Sequence, residues 1–137
     1  MPDRPGRPEP PTHTRPVWFA LSLLAQALAL YWPLSMGTSV GVPLADKVVH
    51  LVIFAVPAYL GLRWATTRAP VSRATPSRWL ATAVVLGLLL HAGLSEVIQG
   101  ALLTREQSAA DAFADILGIA LGVAAARLTI PSGNDHR

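Results

Sequence analysis

The chain has 137 residues, 52% of them apolar and only 14% charged. A soluble domain carries about a quarter charged residues, so this balance, with a mean hydropathy of +0.43, excludes an ordinary water-soluble domain. The net charge of +3 comes almost wholly from arginines that flank apolar runs and form no basic stripe, which excludes a nucleic-acid binder, and the lack of cysteine excludes disulfide and zinc–thiolate frameworks.

Residues 1–16 hold six Pro, three Arg and almost nothing apolar. Such a segment buries too little surface to offset the entropy of ordering, so a disordered, positively charged tail is expected there. The apolar run over 17–34 follows it as the core of a signal peptide would. It is long for that role, and Ser35-Met36-Gly37 makes a poor cleavage site, so a retained first span is expected. A polar, Gly-containing loop leads through Pro43 to a second span over 46–64. The third is expected over 79–103 and the fourth over 110–128, with a short tail at 131–137. Residues 17–130 thus form one domain. No formal charge interrupts residues 16–45, 48–62, 79–95 or 116–126. Trp18, Trp32, Trp64 and Trp79 all fall near span ends, where amphipathic rings sit at headgroup level.

The expected fold is therefore all-α, a polytopic four-helix transmembrane bundle. Its orientation follows from the flanking basic residues. Arg4, Arg7, Arg15, Arg63, Arg68, Arg73, Arg78, Arg127 and Arg137 lie on one side of the spans, and only Lys47 and Arg105 on the other. The positive-inside rule then places both termini and the middle loop in the cytoplasm.

With that topology the acids acquire depth. At a rise of about 1.5 Å per residue, Asp46, Glu96 and Asp111 stand about 24 to 26 Å above the cytoplasmic ends of their spans, with His50 and Asp115 one turn deeper. Asp46 and His50 are related as i and i+4, and Glu96 and Gln99 as i and i+3. Asp111, Asp115, Gly118 and Gly122 continue one stripe on the fourth span. Small residues let helix backbones approach closely, so this stripe should face the bundle.

Each group alone has an ordinary explanation. Asp46 and Lys47 can end a helix at the interface, His50 can bridge two helices, Glu96 can snorkel, and Gly118 with Gly122 can serve packing only. Four carboxylates from three spans at one height are harder to dismiss, because ionised groups at membrane depth cost a few kcal/mol each. Asp46, Glu96, Asp111 and Asp115 face Lys47 and Arg105, with His50 as a third positive charge when protonated; Glu106 is expected in the outer loop. The excess of acid requires that a carboxyl hold a proton or that a divalent cation bind. His91 lies five residues before Glu96, rotated some 140° away, and is expected to pack or hydrogen-bond rather than join the cluster.

The same residues carry a family resemblance. Asp46, Lys47 and His50 form Asp-Lys-x-x-His at a helix start, Glu96 and Gln99 form Glu-x-x-Gln, and Arg105 precedes Asp111, Asp115 and Gly118. Together they resemble the VanZ-like family of small bacterial membrane proteins, named for an accessory glycopeptide (teicoplanin) resistance protein. The likeness covers about residues 44–128. Asp115 stands where Asn is more usual, and Leu103-Thr104 replaces a common Pro-Gly. The resemblance implies residence in the bacterial cytoplasmic membrane and a link to cell-envelope chemistry or antibiotic resistance. It supplies no mechanism.

Three functions suit such a cluster. The first is binding of an anionic lipid or cell-wall-precursor headgroup at the outer face, with Lys47 and Arg105 on the anion and the acids orienting them or holding a divalent ion. The second is an enzyme acting on a lipid-linked substrate with His50 or Glu96 as general acid or base. No Ser-x-x-Lys, His-Glu-x-x-His or Gly-x-Ser-x-Gly arrangement supports it. The third, ion or proton transport, lacks ionisable stepping stones over residues 80–90 and 116–126.

Overall fold

The computed structural model describes residues 14–31, 43–67, 74–102 and 108–129, and all four segments are helical. In chain order they are α1 (Thr14–Tyr31), α2 (Pro43–Thr67), α3 (Ala74–Leu102) and α4 (Ala109–Thr129). Three of them are long and apolar enough to cross a membrane; the apolar part of α1, Pro16–Tyr31, is shorter. The tails expected over 1–16 and 131–137 lie outside the described residues, except that α1 already begins at Thr14. Trp32, Arg105, Glu106 and Leu103-Thr104 also lie outside them.

The helices start three to five residues before the first three apolar runs. Apolarity marks the part a hydrocarbon layer would cover, whereas a helix continues past an apolar run until its hydrogen bonding is interrupted. Pro16, Pro43 and Pro76 all fall within the first turn of their helices. There proline removes an N–H that has no intrahelical acceptor, so it marks the start without breaking the helix. Pro57 is different: it lies inside α2, fully buried, where it removes one internal hydrogen bond.

Successive helices run in opposite directions. Phe19 near the start of α1 stacks on Trp64 near the end of α2, with ring centroids 5.6 Å apart. At the other end Gln99 of α3 reaches the carbonyl of Leu30 in α1. Arg78 at the start of α3 and Arg127 at the end of α4 line one groove with Leu62 of α2. One end of the bundle is therefore rich in arginine and the other in acids.

α2 is the hub, packing most extensively along α4 and also against α1 and α3. A core of Leu30, Phe54, Ala58, Leu88, Ala92 and Ile119 joins the four helices. Around it, large apolar side chains point outward on every helix, among them Leu24, Val52, Leu90 and Phe113. A water-soluble bundle would bury that surface; a lipid-facing one has no reason to.

The α2–α4 seam is set by two glycines. A Cβ at Gly118 would strike the carbonyl oxygen of Leu51, and one at Gly122 would strike that of Ala55 and sit 2.8 Å from the Ala58 Cβ. The two backbones touch at both points, the arrangement that a small-x-x-x-small pair permits when lipid offers no hydrophobic drive for association.

Gln26 of α1 is a polar residue in the interior, 1% exposed, and neither its Oε1 nor its Nε2 has a hydrogen-bond partner among the described residues. A buried amide left unpaired costs about 1 to 3 kcal/mol. Gln26→Met, which keeps the side-chain length, is expected to raise the unfolding midpoint in detergent. A lower midpoint would show that the amide contributes a bond.

Candidate functional site: a polar cluster between three helices

The acid-rich end is built on the α2–α4 seam. Because Gly118 and Gly122 bring the backbones together, the short carboxylates one and two turns away on the same stripe reach across to α2. Two rungs result. The Lys47 Nζ donates to Asp111 Oδ1 at 3.0 Å, with the lysine side chain 37% exposed and the aspartate 13%. One turn deeper, His50 Nδ1 and Asp115 Oδ1 share a hydrogen bond of 2.9 Å, with side-chain exposures of 4% and 0%. The outer rung thus meets solvent, and the inner rung is sealed.

Glu96 closes the cluster from α3. Its Oε2 accepts a hydrogen bond from the backbone N–H of Ser108 at 3.1 Å. Ser108 is the N-cap of α4: its Oγ accepts from the Asp111 N–H at 3.3 Å, and its carbonyl accepts from the N–H groups of Asp111 and Ala112. In a capping box, an acid three residues into the helix reaches back to the cap N–H. Here Asp111 occupies that position but is engaged with Lys47, and Glu96 from the neighbouring helix fills the role.

The donor atoms converge. One from each of His50, Glu96 and Asp115 lie within 4.8 Å of one another, and so do one from each of Asp46, His50 and Asp111. Asp46 is exposed at the edge. Glu96 Oε1 and Asp115 Oδ2 are buried with no hydrogen-bond partner among the described residues.

Not every expected member joins. Gln99 is buried, but its Nε2 donates to the Leu30 carbonyl of α1 at 3.2 Å. Three residues on from Glu96 is 60° short of a full turn, enough to swing Gln99 away from the acids and into the α1–α3 contact. Arg105 lies outside the described residues. His91 makes its contacts elsewhere, its Nε2 3.4 Å from the Tyr31 hydroxyl and its ring edge-on to Phe54, but it is near enough to Asp115 to interact with that charge. Gly118 and Gly122 lie directly beneath the rungs, at the seam itself.

Sequence reasoning did not single out Ser108, although Ser-x-x-Asp ahead of an apolar run is a cap signature that would have found it. It placed Asp46 and His50 on one face at i and i+4, and both do lie near Asp111, but the hydrogen bonds across to α4 are made by Lys47 and His50 at i and i+3. Comparison with protein-family models, curated proteins and solved structures returns no match.

Proposed function

We propose that this chain is a four-span protein of the VanZ-like kind in the bacterial cytoplasmic membrane, with both termini in the cytoplasm. Its polar cluster then opens on the outer face and binds the anionic headgroup of a lipid or lipid-linked cell-wall precursor. Support for the orientation is the excess of arginine at the opposite end, and for α1 as a span the apolar run that continues to residue 34. The family likeness rests on Asp46, Lys47, His50, Glu96, Gln99, Arg105, Asp111, Asp115 and Gly118, and from it alone comes the suggested link to glycopeptide resistance.

The observation that carries the headgroup proposal is the two-rung arrangement. A half-buried ammonium, Lys47, stands at the mouth of a sealed polar interior, held in place by Asp111. A cation fixed at headgroup depth is an anchor for phosphate or carboxylate oxygens. Native mass spectrometry of the detergent-purified protein tests it. The double variant Lys47→Ala, Arg105→Ala is expected to retain anionic lipids at least about tenfold less than wild type, the loss of roughly 1.4 kcal/mol in contacts. Equal retention would sink the proposal. Lipidomics of wild type against Glu96→Gln identifies the headgroup.

A second function has its own observation. A histidine oriented by a buried carboxylate, here His50 on Asp115, is the arrangement of a general base. An enzyme acting on a lipid-linked envelope substrate is favoured if the purified protein releases product from such a substrate and His50→Gln stops release while lipid retention persists.

A further inference from the structure

We propose that His50, Glu96 and Asp115 hold a divalent first-row transition-metal ion, Zn2+ or a close relative, at the inner rung. This deepens the headgroup proposal and rests on the same cluster, but it is carried by different atoms.

The charges point to it first. Lys47 and Asp111 neutralise each other on the outer rung. What remains inside is two carboxylates and one imidazole, with Asp115 0% and His50 3% exposed. Among the described residues no Lys or Arg forms an ion pair with Glu96 or Asp115. Two carboxylates at membrane depth with no cation are expensive, and a single dication beside a neutral imidazole balances them.

The unpartnered oxygens point to it independently. Asp115 uses Oδ1 to fix the His50 ring and leaves Oδ2 buried without a partner. Glu96 uses Oε2 on the Ser108 N–H and leaves Oε1 buried without a partner. Buried carboxylate oxygens are normally satisfied, and here one orphan from α3 and one from α4 belong to residues whose donors, with that of His50, lie within 4.8 Å of one another. Ligands about 2.1 Å from a common ion lie about 3 to 4 Å apart, so small side-chain rotations complete the site. The ion takes the place of the proton shared by His50 Nδ1 and Asp115, which leaves to solvent on binding, and the Ser108 N–H holds Glu96, the supporting role that outer contacts play in metal sites.

The donor set selects the ion. Ca2+ and Mg2+ take oxygen ligands, while one imidazole nitrogen with carboxylates suits Zn2+ and its first-row neighbours. Three protein ligands leave a coordination position open. One rung below Lys47, that position suits a phosphate or carboxylate oxygen, and the ion offsets the two carboxylates, Glu96 and Asp115, that would otherwise repel an anion. The alternative set of Asp46, His50 and Asp111 is less apt, since Asp46 is exposed and Asp111 is committed to Lys47.

The test is ion uptake by the full-length protein in detergent, stripped with a chelator, loaded with Zn2+, Mg2+ or Ca2+ in turn, freed of unbound ion and measured by mass spectrometry of the metal. About one Zn2+ per chain is expected, with Mg2+ and Ca2+ not retained. Glu96→Gln and Asp115→Asn, which preserve side-chain size, are each expected to weaken Zn2+ binding at least tenfold, and Co2+ bound in place of Zn2+ should lose its visible absorption bands in both. Circular dichroism confirms that each variant is helical, and Glu96→Gln suffices if Asp115→Asn does not fold. Uptake well below one ion per chain, uptake indifferent to Glu96→Gln, equal retention of Mg2+, or a loss confined to Asp46→Asn would each overturn the assignment. Failure of the two proposals is distinguishable: Zn2+ uptake is measured without lipid, and loss of lipid retention in Lys47→Ala, Arg105→Ala with Zn2+ still bound speaks only to the headgroup.

Discussion

Gly118→Leu is expected to abolish the folded bundle. The atom that a Cβ at this position would strike is the Leu51 carbonyl oxygen, with the Leu51 carbonyl carbon at 3.1 Å and the Ala55 nitrogen at 3.2 Å behind it. All three belong to the backbone of α2, which cannot rotate aside as a side chain can. Relief requires α2 and α4 to separate along a seam that is the largest helix contact in the molecule. Overpacking a fitted interior costs about 1 to 3 kcal/mol even where side chains can shift, and here they cannot. The expected readout is aggregation or loss of the monodisperse peak in detergent. Gly118→Ala should show the same effect in milder form, with a clearly lowered unfolding midpoint. Gly87 supplies the contrast, because nothing lies within 4 Å of a Cβ there. Gly87→Ala should stabilise by up to about 1 kcal/mol through helix propensity alone. A Gly118→Leu protein that melts like wild type would mean that the α2–α4 seam is not as close as described.

His50 and Asp115 should show strong coupling in a double-mutant cycle. Asp115→Leu leaves the His50 ring nitrogen sealed without its partner, at a cost of about 1 to 3 kcal/mol. His50→Leu leaves a fully buried carboxylate with neither oxygen paired, and removing one member of a buried charged pair costs about 3 to 5 kcal/mol. Replacing both removes the need for either, so His50→Leu, Asp115→Leu is expected to be more stable than His50→Leu alone, and to lose ion uptake entirely. Thermal unfolding of the four proteins in one detergent measures the cycle. Losses that simply add would show that the two side chains do not act as a pair.

Much of the molecule's plan is legible in a linear reading. Apolar runs separated by Pro, Gly and Arg mark the four helices, and their starts are misplaced where helical turns extend past the apolar stretch, as at residues 14–16 of α1. Counting residues along each helix puts Asp46, Glu96 and Asp111 at one height, because rise per residue is a property of the helix alone. The stripe of Asp111, Asp115, Gly118 and Gly122 follows likewise from helical periodicity. Gln26 is visible in the sequence as a polar lapse in an apolar run, but nothing local says whether its amide is paired.

Rotation of each helix about its own axis is not a local property, and it decided the chemistry of the cluster. The Gly118 and Gly122 contacts fix how α4 turns against α2, and that rotation selects Lys47 and His50 as the residues that hydrogen-bond to the aspartates, with Asp46 left near them at the exposed edge. The same geometry sends Gln99 to the Leu30 carbonyl and brings Glu96 to the Ser108 N–H, leaving one of its oxygens buried and free. The sequence by itself determined an all-helical chain with membrane-length apolar segments and acids gathered at one end, since length, hydropathy and helical rise are written in each segment separately. Which acid is neutralised, which is left for a ligand and which faces solvent was decided only when three helices packed, because each depends on a distance between atoms that no single segment contains.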